Sequence, residues 1–229
     1  MIIIAHRGDC SRSPENTLSA FRDAADAGAD MIEFDVHCCA SGEPVVIHDY
    51  TLERTTNGAG LVAAASLETL QGLDAGQGEP IPLLRDVLVW AQQIKKIGAN
   101  IELKGVDCAP AVLKVLDQLG LAALPGNNII ISSFDRTMLK QVRLENTQVS
   151  IGVLTSEEND DWLAAATELK AYSLHPELSL LSAEMISTAH AHGLKVFPWS
   201  VDTADAMKHC TSMGVDGLFT YYPAIAKPA

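Results

Sequence analysis

Four short stretches of the sequence combine residue types that do chemistry together. His6 and Arg7 end an aliphatic run, Glu33 and Asp35 stand two apart in "IEFDV", His48 and Asp49 end "VVIHD", and Glu102 and Lys104 stand two apart in "IELK". Residues i and i+2 of an extended chain share a face, so Glu33 and Asp35 point together, as do Glu102 and Lys104. Carboxylates directed into an interior are costly unless paired or metal-bound. Glu33, Asp35 and Glu102 therefore suggest an oxygen ligand set for a hard divalent cation, Mg2+ or Ca2+. Zinc fits less well, because no His or Cys triplet has matching spacing. Two histidines beside such a cation, His6 and His48, can serve as general acid and general base near neutral pH. Arg7 and Lys104 add two fixed cations suited to holding a phosphate whose charge must be neutralised during displacement.

Each element has a plainer reading. A single strand-end histidine is more often a hydrogen-bond partner, and an ExD pair is commonly a solvated face. Their joint occurrence separates the readings, because all four stretches fall at expected strand ends. Eight apolar, β-branched runs alternate with stretches of helical period: 2–6, 31–36, 100–104, 128–134, 149–155, 171–175, 195–201 and 216–220. The helical stretches begin with "ENTLSAFRDAADAG", whose apolar positions are Leu18, Phe21 and Ala25 and whose Gly28 marks the end. A ninth strand, "PVVIHD", is explained by a hairpin turning near Ser41-Gly42-Glu43, which brings His48 back beside Asp35. The fold expected is α/β, a (β/α)8 TIM barrel with a small cap insertion after the second strand. Residues 1–229 form one domain and the cap spans about 49–80. Active sites of such barrels sit at the C-terminal strand ends.

The remaining composition narrows the function. A net charge of -13 disfavours nucleic acid and an anionic membrane surface as partners. No stretch approaches the length of a membrane span, and "MIIIAH" lacks the basic flank of a secretory signal, so no stable membrane association and a cytoplasmic location are expected. Five cysteines without CxxC spacing suit reduced thiols. Trp199 is a candidate for stacking on substrate, or for packing inside the barrel. His37, His190, His192 and His209 are expected at the surface or in helix packing, and His175 ends a strand without a visible partner.

In "AHRG", "PENT", "IEFDV", "VVIHDYTLERTTNGAG", "IELK", "SSF", "WSV" and "GLFT" the chain resembles the glycerophosphodiester phosphodiesterase family, most closely its small cytoplasmic bacterial members. The resemblance implies a metal-dependent hydrolysis of small glycerophosphodiesters, such as glycerophosphocholine, to glycerol 3-phosphate and an alcohol. It implies Glu33, Asp35 and Glu102 as metal ligands, His6 and His48 as acid and base, and Arg7 and Lys104 as phosphate-binding cations. Alternatives are a lysophospholipase D-like or cyclic-phosphate-forming phosphodiesterase, and a barrel that binds a phospho-ligand without turnover. Two positions depart from the family pattern: Tyr221 follows Thr220 where many members carry Asp, and Asp202 follows "WSV" where Asn is common. Oligomeric state, headgroup and the choice of Mg2+ or Ca2+ are not encoded in these motifs.

Overall fold

The β-branched runs become strands because such side chains pack well on a pleated surface buried on both sides. The protein, described here by a computed structural model over residues 1–93, 97–122 and 129–226, places them in one nine-stranded sheet. The strands are β1 (Ile2–His6), β2 (Met31–Cys38), β3 (Pro44–Val46), β4 (Gly98–Leu103), β5 (Ile129–Ser133), β6 (Ser150–Thr155), β7 (Ser173–Pro176), β8 (Lys195–Val196) and β9 (Gly217–Thr220). Eight are parallel, in the order β8-β7-β6-β5-β4-β2-β1-β9, and the short β3 pairs antiparallel with β2. Asn128, at the start of the fourth expected barrel strand, lies outside the described residues.

The seven-residue strand expected over 195–201 is regular only at Lys195–Val196. Pro198 has no N–H to give to a ladder, so regular pairing stops there. The ring nevertheless closes through this segment. Phe197 N and Trp199 N donate to Leu174 O and Pro176 O on one side, while Phe219 N donates to Pro198 O and Val201 N to Phe219 O on the other.

Along β2, Phe34 and Val36 pack outward into the large core between barrel and helices, and Glu33 and Asp35 face the interior. Below them, Ile4, Met31, Ile130, Phe197 and Phe219 fill the barrel with an apolar plug. Each such side chain contributes about 2 kcal/mol by leaving water, which offsets the cost of the acids above.

The helices carry the expected period: α1 (Leu18–Asp26), α2 (Leu67–Gln71), α3 (Leu84–Gln93), α4 (Cys108–Gln118), α5 (Arg136–Glu145), α6 (Trp162–Leu169), α7 (Ala183–Ala191) and α8 (Ala204–Met213). In α1 the buried face is Ala20, Phe21 and Ala24, rotated from the expected Leu18, Phe21 and Ala25. Small side chains win this face because the backbone of Gly8 presses on it: a Cβ there would lie 2.6 Å from Ala20 Cβ.

The β2–β3 hairpin pairs Val36 with Val46 and Cys38 with Pro44, and Ile47 N donates to Asp35 O at 3.0 Å. The chain thus returns to the barrel rim just before His48. The following segment folds over that rim around its own apolar cluster, including Leu52, Val62, Leu70 and Ile81. Among the described residues no helix is long and apolar enough to cross a membrane.

Candidate active site

Backbone geometry at the end of β1 aims the first two candidate residues. Parallel register sets His6 beside Glu33. Arg7 then turns into the left-handed region (φ 59°) and Gly8 follows at φ 90°, a conformation natural to glycine and strained for arginine. The turn lets Arg7 N donate to Glu33 Oε2 at 2.9 Å and swings the guanidinium to Asp35, with Nε 3.3 Å from Oδ2, and to Glu15, with Nη1 3.0 Å from Oε1. Asn16, also left-handed (φ 60°), donates from Nδ2 to Asp35 Oδ2 at 2.9 Å and accepts from Asp35 N at 3.3 Å.

Asp35 stands level with Glu102 on the neighbouring β4 strand. Lys104 Nζ lies 2.5 Å from Glu102 Oε1 and 3.5 Å from Asp35 Oδ1. Glu33, Asp35 and Glu102 are all buried and each offers an oxygen within 4.8 Å of the others. Burial pushes the Glu33 carboxyl well above the usual range, with Asp35 and then Glu102 adding to the effect. Burial, followed by Asp35, raises Glu102 to about 7. Burial also opposes ionisation of Asp35, but Lys104 and Arg7 outweigh it and hold that carboxyl below its usual range.

Glu33 Oε1 and Asp35 Oδ1 are buried without hydrogen-bond partners, and Glu102 Oε1 meets only Lys104. Three buried acids, two of them with an unused oxygen and two resisting ionisation, are a donor set that a divalent cation fits.

Across the cavity, His48 is held by a chain of ion pairs. Its Nδ1 lies 2.6 Å from Asp49 Oδ1. Arg54 grips Asp49 through Nε at 2.6 Å and Nη2 at 2.9 Å, and grips Glu15 through Nη1 and Nη2 at 2.8 Å each. Hydrogen bonds from Arg54 hold the Asp49 carboxyl well below its usual range despite some burial. Because Glu15 also pairs with Arg7, one carboxylate links the His48 side of the cavity to the Arg7 side.

The cavity between these groups has a volume of about 150 Å³. Polar side chains His6, Arg7, Glu33, His48, Glu102 and Lys104 line one part, and Phe134, Leu154, Trp199 and Phe219 line the rest. Trp199 is fixed edge-on to Phe134, with ring centroids 5.6 Å apart, and its indole N–H donates to His175 O at 2.9 Å.

Residues 6–225 match the model of the glycerophosphoryl diester phosphodiesterase family. The chain belongs to the glycerophosphoryl diester phosphodiesterase family. It is 37% identical over 230 residues to a glycerophosphodiester phosphodiesterase of Caldanaerobacter subterraneus, covering 97% of this chain and 94% of that protein. A glycerophosphodiester phosphodiesterase of Bacillus altitudinis is 33% identical over 96% of this chain and 94% of its own length. Among solved structures, a phosphodiesterase of Oleispira antarctica, in complex with the product sn-glycerol-3-phosphate, superposes with a TM-score of 0.91 at 29% identity, covering 99% of this chain and 95% of that one. The glycerophosphodiester phosphodiesterase of Thermotoga maritima gives 0.82 at 27% identity, over 99% and 96%. The family is one of phosphoric diester hydrolases, and the protein is an enzyme of that class.

For this family member, His6, Arg7, Glu33, His48, Glu102, Lys104 and Trp199 all meet at one cavity, with Asp35 directly behind Arg7 and Lys104. His37 departs from expectation: it is buried, its Nε2 lies 3.0 Å from His48 O, and its ring meets Tyr50 edge-on. The hairpin turns it inward beside His48, whereas His190, His192 and His209 are exposed as expected. His175 packs inside the barrel against Phe197 and Phe219, with Nε2 2.7 Å from Ser173 Oγ, and takes no place on the rim.

The sequence motifs gave no role to Glu15, Asn16 or Arg54, and Tyr221 stood out only as a departure from the family pattern. The signal was present for the first three, inside "PENT" and "TLERTTNG", but their partners lie in other segments.

Proposed function

We propose that the protein hydrolyses small glycerophosphodiesters to glycerol 3-phosphate and a free alcohol, with a divalent cation held by Glu33, Asp35 and Glu102. The observation that carries this reading is the facing of three buried, incompletely paired carboxylates by Arg7 and Lys104, with His6 and His48 on the same cavity. When bound, the cation supplies a positive charge that polarises the phosphoryl oxygens.

The chain's own residues do the rest. Arg7 and Lys104 contact the phosphate and stabilise the charge that accumulates on it during displacement. His48 carries Asp49 on Nδ1, which leaves Nε2 turned to the cavity to give a proton to the departing alcohol oxygen as the bond from phosphorus to that oxygen breaks. His6 has no carboxylate within hydrogen-bond distance and burial keeps it neutral, so it takes a proton from the attacking oxygen as the new phosphorus–oxygen bond forms. That oxygen is water's, or the glycerol 2-hydroxyl's, in which case water then opens the cyclic phosphate to glycerol 3-phosphate. Trp199, with Phe134, offers an apolar wall to the carbon skeleton of the substrate.

Residues 1–229 act as one domain with 49–80 as its cap, and the five free thiols support a cytoplasmic setting. The test is release of glycerol 3-phosphate from glycerophosphocholine with Mg2+, with Ca2+ and with a chelator. Release that the chelator abolishes is expected. Accumulation of a cyclic phosphate, activity on lysophospholipids alone, or binding without turnover would replace this reading with one of its competitors.

A further inference from the structure

The two histidines are held by different means. His48 has a carboxylate on Nδ1, whereas His6 Nδ1 is buried without a partner and His6 Nε2 is 3.8 Å from Glu33 Oε2, beyond hydrogen-bond distance. The His6 ring is fixed instead by other rings. Tyr221 stacks on it with centroids 4.4 Å apart and planes 30° from parallel, and Phe219 approaches edge-on at 6.3 Å and 72°. Arg7 reaches the same tyrosine, its guanidinium carbon 5.9 Å from the ring centroid.

Tyr221 is anchored through its backbone. Asp202 Oδ1 accepts from Tyr221 N at 2.9 Å and from Thr220 Oγ1 at 3.1 Å, and Asp202 Oδ2 accepts from Ser200 Oγ at 2.7 Å. Among the described residues the Tyr221 hydroxyl makes no hydrogen bond, which leaves the ring face as its contribution. Tyr221 and Asp202 therefore meet at one feature.

We propose that Tyr221 is a positioning residue whose ring sets the plane of the His6 imidazole and braces the Arg7 guanidinium, in place of the carboxylate that orients His48. This rests on the acid/base reading of His6 given above. An imidazole with neither nitrogen hydrogen-bonded is free to turn about its ring axis, and misorientation of a proton acceptor lowers turnover far more than substrate binding.

The experiment compares Tyr221→Phe, Tyr221→Leu and Tyr221→Ala with the native enzyme, reading kcat, KM, melting temperature and the His6 ring proton resonances. Tyr221→Leu keeps most of the volume and removes the flat face. It is expected to lose about tenfold or more in kcat with KM within about threefold, and Tyr221→Ala the same where it folds. Tyr221→Phe is expected to restore most of the lost kcat. The His6 resonances should carry an upfield ring-current shift in the native and Phe enzymes that is absent from the Leu enzyme. A Leu enzyme with native kcat, or His6 resonances indifferent to the ring, overturns the proposal. A native enzyme without diesterase activity would instead defeat the functional reading, so the two failures are distinct.

Discussion

His48 Nδ1 lies 2.6 Å from Asp49 Oδ1, and both oxygens of that carboxylate are also gripped by Arg54. The pairing fixes which ring nitrogen is left for chemistry. With Nδ1 turned to Asp49, Nε2 is the atom available to the cavity. Asp49→Asn keeps the shape but removes the charge and permits the opposite tautomer. We expect kcat to fall about 10²-fold with little change in KM, measured by steady-state release of glycerol 3-phosphate.

His6→Ala and His48→Ala are each expected to lower turnover by about 10²-fold or more, as loss of an acid/base group does. Near-native rates in both variants would remove proton transfer by these side chains from the mechanism.

Arg54 stands behind Asp49 and does not line the cavity at His6 and His48. Arg54→Ala releases both Asp49 and Glu15, and so loosens His48 and Arg7 together. A loss of about tenfold in kcat/KM is expected, in the range that outer supporting residues usually carry. Combining it with Glu15→Gln should add little, because the two side chains act as one unit. Additive losses in that double-variant comparison would contradict the relay.

The raised carboxyl of Glu102 makes a pH-dependent statement about stability. Its folded-state value of about 7 lies above the unfolded value near 4.5, so the folded protein binds the proton more tightly. The charged form therefore costs stability above about pH 7, and the cost fades as pH falls through that value. In the presence of a chelator, Glu102→Gln should melt higher than the native protein at pH 8, with the difference shrinking toward pH 5. Adding Mg2+ or Ca2+ at pH 8 should raise the native melting temperature and leave the variant nearly unmoved.

Gly8 sets the approach of the His6-Arg7 turn to α1. At φ 90° a Cβ is strained, and it would lie 2.6 Å from Ala20 Cβ and 2.7 Å from the Ala20 carbonyl carbon, neither of which is a flexible side-chain end. Gly8→Ala is expected to destabilise the fold by about 2 kcal/mol or more, read from denaturant unfolding.

What the sequence by itself determined is the set of features with short-range causes. The two-residue period on β2 and β4 makes Glu33 share a face with Asp35 and Glu102 with Lys104, and the alternation of β-branched runs with 3.6-residue periods dictates a parallel barrel with the candidate residues at one rim. The hairpin was legible because a turn signal between two apolar runs acts over a few residues. The tertiary structure alone decided the pairings between distant segments. Asn16 with Asp35, Arg54 with Glu15 and Tyr221 with His6 each join stretches whose proximity depends on how loops dock on the closed barrel. The same holds for ring closure through the irregular segment around Pro198. Hydrogen bonds, ion pairs and ring stacking depend on distances of a few ångströms between atoms far apart in sequence, and a local pattern of residue types carries no record of those distances.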